Sequence, residues 1–290
     1  MHRTTKKFKL ITVFSVVFLS VTLIFSNAKT AEKTETVVIL HTNDLHFDYN
    51  YLDQVERTIQ HYRDNYDTVF LVDAGDMFVR HPDAWDEPDL AWYQQASEQI
   101  IQTMNRLKYD VAVLGNHEVD YKENITRDSL LQANFPLISA NLKVTTDQFI
   151  QPQPYIVLTT RQNHTITLIG LSRGQQLGIE RIGNKTAIEN YLYLREQTHV
   201  LGLLSHIGFE RDQLQAERFP QLDLIVGGHS HTALNPAVIH NGVLIAQTGG
   251  HDHEKNAARP QQLGVIKLVI KQGELLSKEG KLIILNQNTQ

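Results

Sequence analysis

Asp110-Val111-Ala112-Val113-Leu114-Gly115-Asn116-His117-Glu118-Val119-Asp120 sets a short apolar, β-branched run directly against a polar cluster. The apolar half reads as a buried strand and the polar half as the loop that leaves it. In an open α/β sheet the carboxyl ends of the strands open onto a crevice, and ligands collect there. The same pattern recurs along the chain. Val37–Leu40 runs into His41-Thr42-Asn43-Asp44-Leu45-His46, and Thr68–Val72 runs into Asp73-Ala74-Gly75-Asp76. Val200–Leu204 delivers Ser205-His206-Ile207-Gly208, and Leu222–Val226 delivers Gly227-Gly228-His229-Ser230-His231. Between the first three strands, Leu52, Val55, Ile59 and Tyr62, and then Ile100, Ile101, Met104 and Leu107, fall at helical spacing. The order βαβαβ implies parallel pairing with helices on the sheet faces.

The second half is less regular. Pro136, Pro152 and Pro154 punctuate strand candidates at 137–140 and 155–159, and residues 165–171 alternate as a strand does. Residues 187–196 and 211–218 suit helices. Residues 237–240 and 243–247, joined by Asn241-Gly242, suit a hairpin with a two-residue turn. Residues 263–270 and 281–285 close the pattern. No repeat or low-complexity linker divides the chain, so one catalytic domain is expected over residues 29–290, with its core at about 36–285.

The first 28 residues stand apart. His2, Arg3, Lys6, Lys7 and Lys9 precede the apolar stretch Leu10–Phe25, and Ser26-Asn27-Ala28 offers small residues for cleavage. This is the pattern of a secretory signal peptide. The alternative is an uncleaved anchor, although the apolar run is short against the roughly 20 residues of a full span. Either way the rest of the chain is expected outside the cytoplasm: secreted, periplasmic or at the cell surface. Removing residues 1–28 takes away four of the 27 Lys and Arg and none of the 32 Asp and Glu, leaving a net charge of −9. Such a balance argues against binding a nucleic-acid polymer or an anionic membrane through a basic face. The chain has no cysteine, so disulfides and thiolate metal ligands are excluded.

The strand ends together carry Asp44, His46, Asp76, Asn116, His206, His229 and His231. Oxygen and imidazole donors without sulfur suit Zn, Mn, Fe or Co, and the histidines argue against Mg or Ca. Seven donors exceed one tetrahedral site and suffice for two divalent ions that share a carboxylate. Two such ions can clamp the attacking and leaving oxygens of a phosphoryl displacement and lower the pKa of water towards about 7. His117, next to Asn116, is then placed to meet the charge that develops in the transition state, with Asp120 able to orient its ring.

Asp44-Leu45-His46, Gly75-Asp76, Gly115-Asn116-His117-Glu118 with Asp120, Ser205-His206 and Gly228-His229-Ser230-His231 resemble, in order, the signature of calcineurin-like metallophosphoesterases. The spelling of residues 40–44 and 116–120 is most similar to the secreted 5′-nucleotidase branch. The resemblance implies an αββα sandwich of four layers, two mixed sheets flanked by helices, with a dimetal site at the strand ends. It implies Asp44, His46 and His231 for one metal, Asn116, His206 and His229 for the other, Asp76 between them, and His117 with Asp120 as the catalytic pair. The substrate implied is a small phosphate ester such as a nucleotide or a 2′,3′-cyclic nucleotide.

Two departures bear on substrate. The family branch usually adds a C-terminal nucleotide-binding domain, which is not expected here, and residues 250–256 expand a loop that includes His251 and His253. A phosphodiesterase or sulfur-ester hydrolase acting on another substrate is the alternative enzyme. A non-catalytic exported metal- or nucleotide-binding protein is the alternative outside enzymes, disfavoured because the whole donor set and the His117-Asp120 pair are intact. His41, on the strand side, is expected to be structural. Glu118 is expected to brace the loop, and Arg80 and Arg173 to pair with surface charges unless they meet a phosphate.

Overall fold

The computed structural model describes residues 34–79, 89–119, 124–174, 178–250 and 261–285, all within one unit spanning Lys33–Gln290. The expected signal peptide lies outside the described residues.

The first strand, β1 (Glu35–Thr42), is apolar at consecutive positions and buried along its length. Such a strand must be covered on both faces. Its side chains alternate: Val38 and Leu40 face helices α1 (Tyr49–Asn65) and α2 (Leu90–Leu107), whereas Val37 and Ile39 face a second sheet. β2 (Thr68–Asp73) and β3 (Val111–Val113) divide in the same way, with Leu71 and Ala112 under the helices and Phe70, Val72, Val111 and Val113 turned towards the other sheet. The predicted helical stripes are the buried faces of α1 and α2, and the side chains of Asp48 and Asp89 accept from the first-turn amides. Two short helices, α3 (Asn116–Val119) and α4 (Asn124–Leu130), lead to β4 (Leu137–Ile138).

The chain then crosses to the second sheet. Ser139 and Ala140 were expected to extend β4, but their amides bond instead to the carbonyls of Gln153 and Gly170. β5 (Leu142–Val144) and β8 (Ile179–Arg181) form a small separate pair; they are short and partly polar, and apolar periodicity does not mark them. β6 (Tyr155–Thr159), β7 (Thr165–Leu171), β9 (Val200–Ser205), β10 (Leu224–Gly227), β11 (Val238–His240) and β12 (Val243–Ala246) build the second sheet in the order β11-β12-β10-β9-β7-β6. Its outer face packs on α5 (Asn184–Glu189), the 3₁₀ segment Leu192–Gln197 and α6 (Phe209–Arg218). The single helix expected at 187–196 is therefore two pieces, with Tyr191 turned against Tyr155 at their junction.

β13 (Gln262–Lys271) and β14 (Glu274–Ile284) form a long antiparallel hairpin, so that the first sheet runs β14-β13-β1-β2-β3-β4. Only the end of β14 was legible, because its first half is polar and mostly exposed. The described unit is thus mixed α/β, two large mixed sheets face to face with helices outside each, and its three buried clusters fill the three interfaces between layers. β1, β2 and β3 are parallel, as are β7, β9, β10 and β12, so each sheet gathers the carboxyl ends of several strands on one rim.

At the opposite end of β1, Glu35 ties the two sheets together. It accepts hydrogen bonds from Thr68 Oγ1, Thr160 Oγ1 and His164 Nδ1, each at 2.7 Å. Burial works against the Glu35 carboxylate, but these three donors outweigh it and hold its pKa below the ordinary value. A carboxylate with a lowered folded pKa adds stability above its unfolded pKa, and that stability is lost as pH falls through the folded value. Glu35→Gln is therefore expected to destabilise the fold by about 1–2 kcal/mol at pH 7. The gap to the parent protein should close as a series of thermal melts is taken down below pH 4.5. A gap that stays constant with pH would show that the charge is not what binds the sheets.

Candidate metal centre

The rims of the two sheets meet. Register places Thr42 beside Asp73, so the loops leaving β1 and β2 run side by side: Asp44 N–H bonds to Gly75 O at 2.7 Å and His46 N–H to Asp76 O at 3.1 Å. In the second sheet Gly227 pairs with Ser205, which sets His206 beside Gly228 and His229. The imidazole Nδ1 of His206 donates to Ala74 O at 2.7 Å across the sheet interface, which fixes its tautomer and aims Nε2 into the cluster.

Three groups of side chains converge there: Asp44, His46 and His231; His46, Asp76 and His117; and Asp76, His206 and His229, with donor atoms within 4.8 Å of one another in each group. Asp76 Oδ2 is the common point, 3.1 Å from His206 Nε2 and 3.6 Å from both His46 Nε2 and His117 Nε2. Asp44 Oδ1 lies 3.2 Å from His231 Nε2 and 3.9 Å from His206 Nε2. The side chains of Asp44 and His206 are fully buried, whereas those of His117 and His231 are 22% and 21% exposed, so solvent reaches the cluster from their side. Asn116 stands at the start of α3, between Gly115 and His117, and its Oδ1 is buried without a hydrogen bond.

Each carboxylate has one oxygen committed to the protein and the other left for the cluster. Asp76 Oδ1 accepts from the His117 amide at 2.8 Å. Asp44 Oδ2 accepts from the His229 amide at 2.9 Å and from Asn43 Nδ2 at 2.6 Å, and its Oδ1, also buried, has no hydrogen bond. Five of the seven predicted donors (Asp44, His46, Asp76, His229 and His231) have φ between 47° and 74°. Non-glycine residues hold this conformation at a cost, and such strain concentrates at functional sites. Glycine makes room for it: a Cβ on Gly115 would collide with the Asp76 carboxylate.

Burial opposes ionisation of Asp76, but the imidazoles of His206 and His117 outweigh it and hold the carboxyl well below its usual range. Burial likewise opposes protonation of His206, yet Asp76 and Asp44 raise it to about 10. His229 is pushed down to about 4, by burial first and then by the nearby His206 and Arg173. Without a cation the two buried carboxylates thus draw a proton onto His206. Anionic oxygens, a neutral imidazole and orphaned acceptors at Asp44 and Asn116 form a donor set that fits divalent cations of the imidazole-binding kind.

Other expectations divide. Glu118 is buried and accepts from the amides of Asp76, Phe78 and Gly115, bracing the loop. His41 packs its ring over Gly264 on the neighbouring strand, and burial pushes it down to about 3. Asp120, Arg80, His251 and His253 lie outside the described residues. Asn43 carries a role that sequence reasoning missed: besides holding Asp44, its Oδ1 accepts from the Thr248 amide and hydroxyl at 2.9 and 2.6 Å. Its place one residue before Asp44 was a signal, but its partner is 205 residues away.

A family model for calcineurin-like phosphoesterases matches residues 37–233. Protein 5NUC of Lutzomyia longipalpis is 25% identical over 323 aligned residues, covering 95% of this chain and 54% of that protein. The 5′-nucleotidase of Homo sapiens is 26% identical over 298, covering 87% and 50%. The chain spans about half the length of these curated relatives. Among solved structures, a 5′-nucleotidase precursor from Thermus thermophilus superposes with a TM-score of 0.69 at 22% identity, over 86% of this chain and 54% of that one, a likeness of fold.

Supporting residues that orient metal ligands typically contribute about 10–100-fold in metal affinity. Asn43→Ala is accordingly expected to weaken divalent-cation binding by about that factor, measured by competition with a chromophoric chelator. Unchanged affinity would mean that the His229 amide alone suffices to orient Asp44.

Proposed function

The chain belongs to the calcineurin-like phosphoesterase family, and on that premise we propose that it is an exported, metal-dependent hydrolase of small phosphate esters, nucleotides among them. The observation that carries the proposal is Asp76 Oδ2, which lies 3.1 Å from His206 Nε2 and 3.6 Å from both His46 Nε2 and His117 Nε2 and so belongs to two of the donor groups. Asp44, His46 and His231 would hold one cation and Asn116, His206 and His229 the other, with Asp76 common to both. When bound, Zn, Mn, Fe or Co ions there would supply Lewis acidity and hydroxide near neutral pH.

The chain's own residues do the rest. Asp44 and Asp76 hold their free oxygens in place through backbone amides, so the negative charge of the site is organised before substrate arrives. His117 is partly exposed, lies within reach of Asp76 and is not needed for either donor set. It is the group proposed to hydrogen-bond a phosphoryl oxygen and to pass a proton to the leaving oxygen. Asp120, three residues on, is proposed to orient it. The 5′-nucleotidase relatives support a nucleotide substrate, and the basic and apolar residues 1–28 support export, with residues 29–290 as the catalytic domain.

His117→Ala is expected to keep its metal content, read by mass spectrometry, and to lose about 10²–10³-fold in turnover of an aryl phosphate. Asp76→Ala should lose both metal and turnover. A His117→Ala variant as active as the parent would overturn the assignment.

A further inference from the structure

Phe47 directly follows the donor His46, and the two hold left-handed backbone at φ 62° and 47°. That conformation is an outlier for a bulky side chain, and Phe47 has no ligand atom for a metal ion, so coordination does not account for it. Its surroundings do. The Phe47 amide donates to Met77 O at 3.0 Å, continuing the pairing of this loop with the one that carries Asp76. Its ring is 5% exposed and packs with Tyr93, Phe78 and Trp92, with centroids 5.3, 5.4 and 5.8 Å away. Phe78 stands two residues after Asp76, and Trp92 and Tyr93 belong to the first turn of α2. The chain thus delivers one residue to the metal centre and the next to the core under the helices.

We propose that Phe47 is a positioning residue for His46: its aromatic seat holds the left-handed turn that places the imidazole among Asp44, Asp76 and His231. The proposal rests on the metal centre described above. Burial of the ring and its edge contacts offset the cost of two successive left-handed residues. The backbone bonds fix the path of the loop whatever residue stands at 47, so substitution separates the contribution of the side chain. His46 belongs to two of the three donor groups, which makes the centre sensitive to a small displacement of its ring.

The test is a double-mutant cycle on the full chain, with Zn affinity read by competition with a chromophoric chelator well below the melting temperature. Glycine adopts left-handed backbone without strain, so Phe47→Gly removes the ring and leaves the conformation accessible. It is expected to weaken one of two Zn-binding steps by about 10–100-fold and to leave the other unchanged. In a His46→Ala background, which retains Asn116, Asp76, His206 and His229 for one cation, the same substitution should change affinity less than about 2-fold, within the range of independent sites. Phe47→Leu, which keeps apolar volume and carries the cycle should the glycine variant fail to fold, should lose less than Phe47→Gly and show the same dependence on His46. Equal weakening in both backgrounds, or parental Zn affinity in both Phe47 variants, would overturn the role of Phe47 alone. A folded parent that binds no Zn would overturn the metal centre, and this role with it.

Discussion

Two buried carboxylates facing a ring of imidazoles are the constraint around which this molecule is arranged. Asp44 and Asp76 lie at the ends of neighbouring strands in one sheet, and His206 and His229 at the ends of neighbouring strands in the other. Removing such charges from water is costly unless they are paired. Here the cost is offset by backbone amides on one oxygen of each carboxylate and by imidazoles near the other. The layered architecture makes the arrangement possible, because parallel strands bring several carboxyl ends to one rim and sheet-on-sheet packing brings the two rims together.

The strands were legible because their apolar runs are continuous, and continuous runs mean burial on both faces. Residues 37–40 show why periodicity went no further: alternate side chains enter two different clusters, one shared with helices and one with another sheet, and an apolar residue carries no label for which. The four layers came from resemblance, and the packing of the buried clusters bears them out. β14 escaped notice because its first half is a polar, exposed edge strand, and the short β5 and β8 lack an apolar pattern.

The candidate site was more legible than the fold around it. Asp, Asn and His concentrated at strand ends are conspicuous in a sequence, and the structure brings Asp44, His46, Asp76, His117, His206, His229 and His231 into overlapping groups. The supporting interactions were hidden because they depend on distant partners: Asn43 needs Thr248, and Arg173 donates to His229 from another strand end. The left-handed backbone at five of the donors was hidden as well, since nothing about Asp or His announces it. That strain is held by close packing at Gly115 and by the bracing of Glu118, in keeping with a site pre-organised at the expense of local stability.

The central claim is that these strand ends form one centre for two cations organised about Asp76. Anomalous scattering from crystals of the chain loaded with Mn or Zn measures it most directly. The account predicts two peaks about 3.5–4 Å apart, one on each side of the Asp76 carboxylate. A single peak, or metal bound away from Asp76, would contradict it.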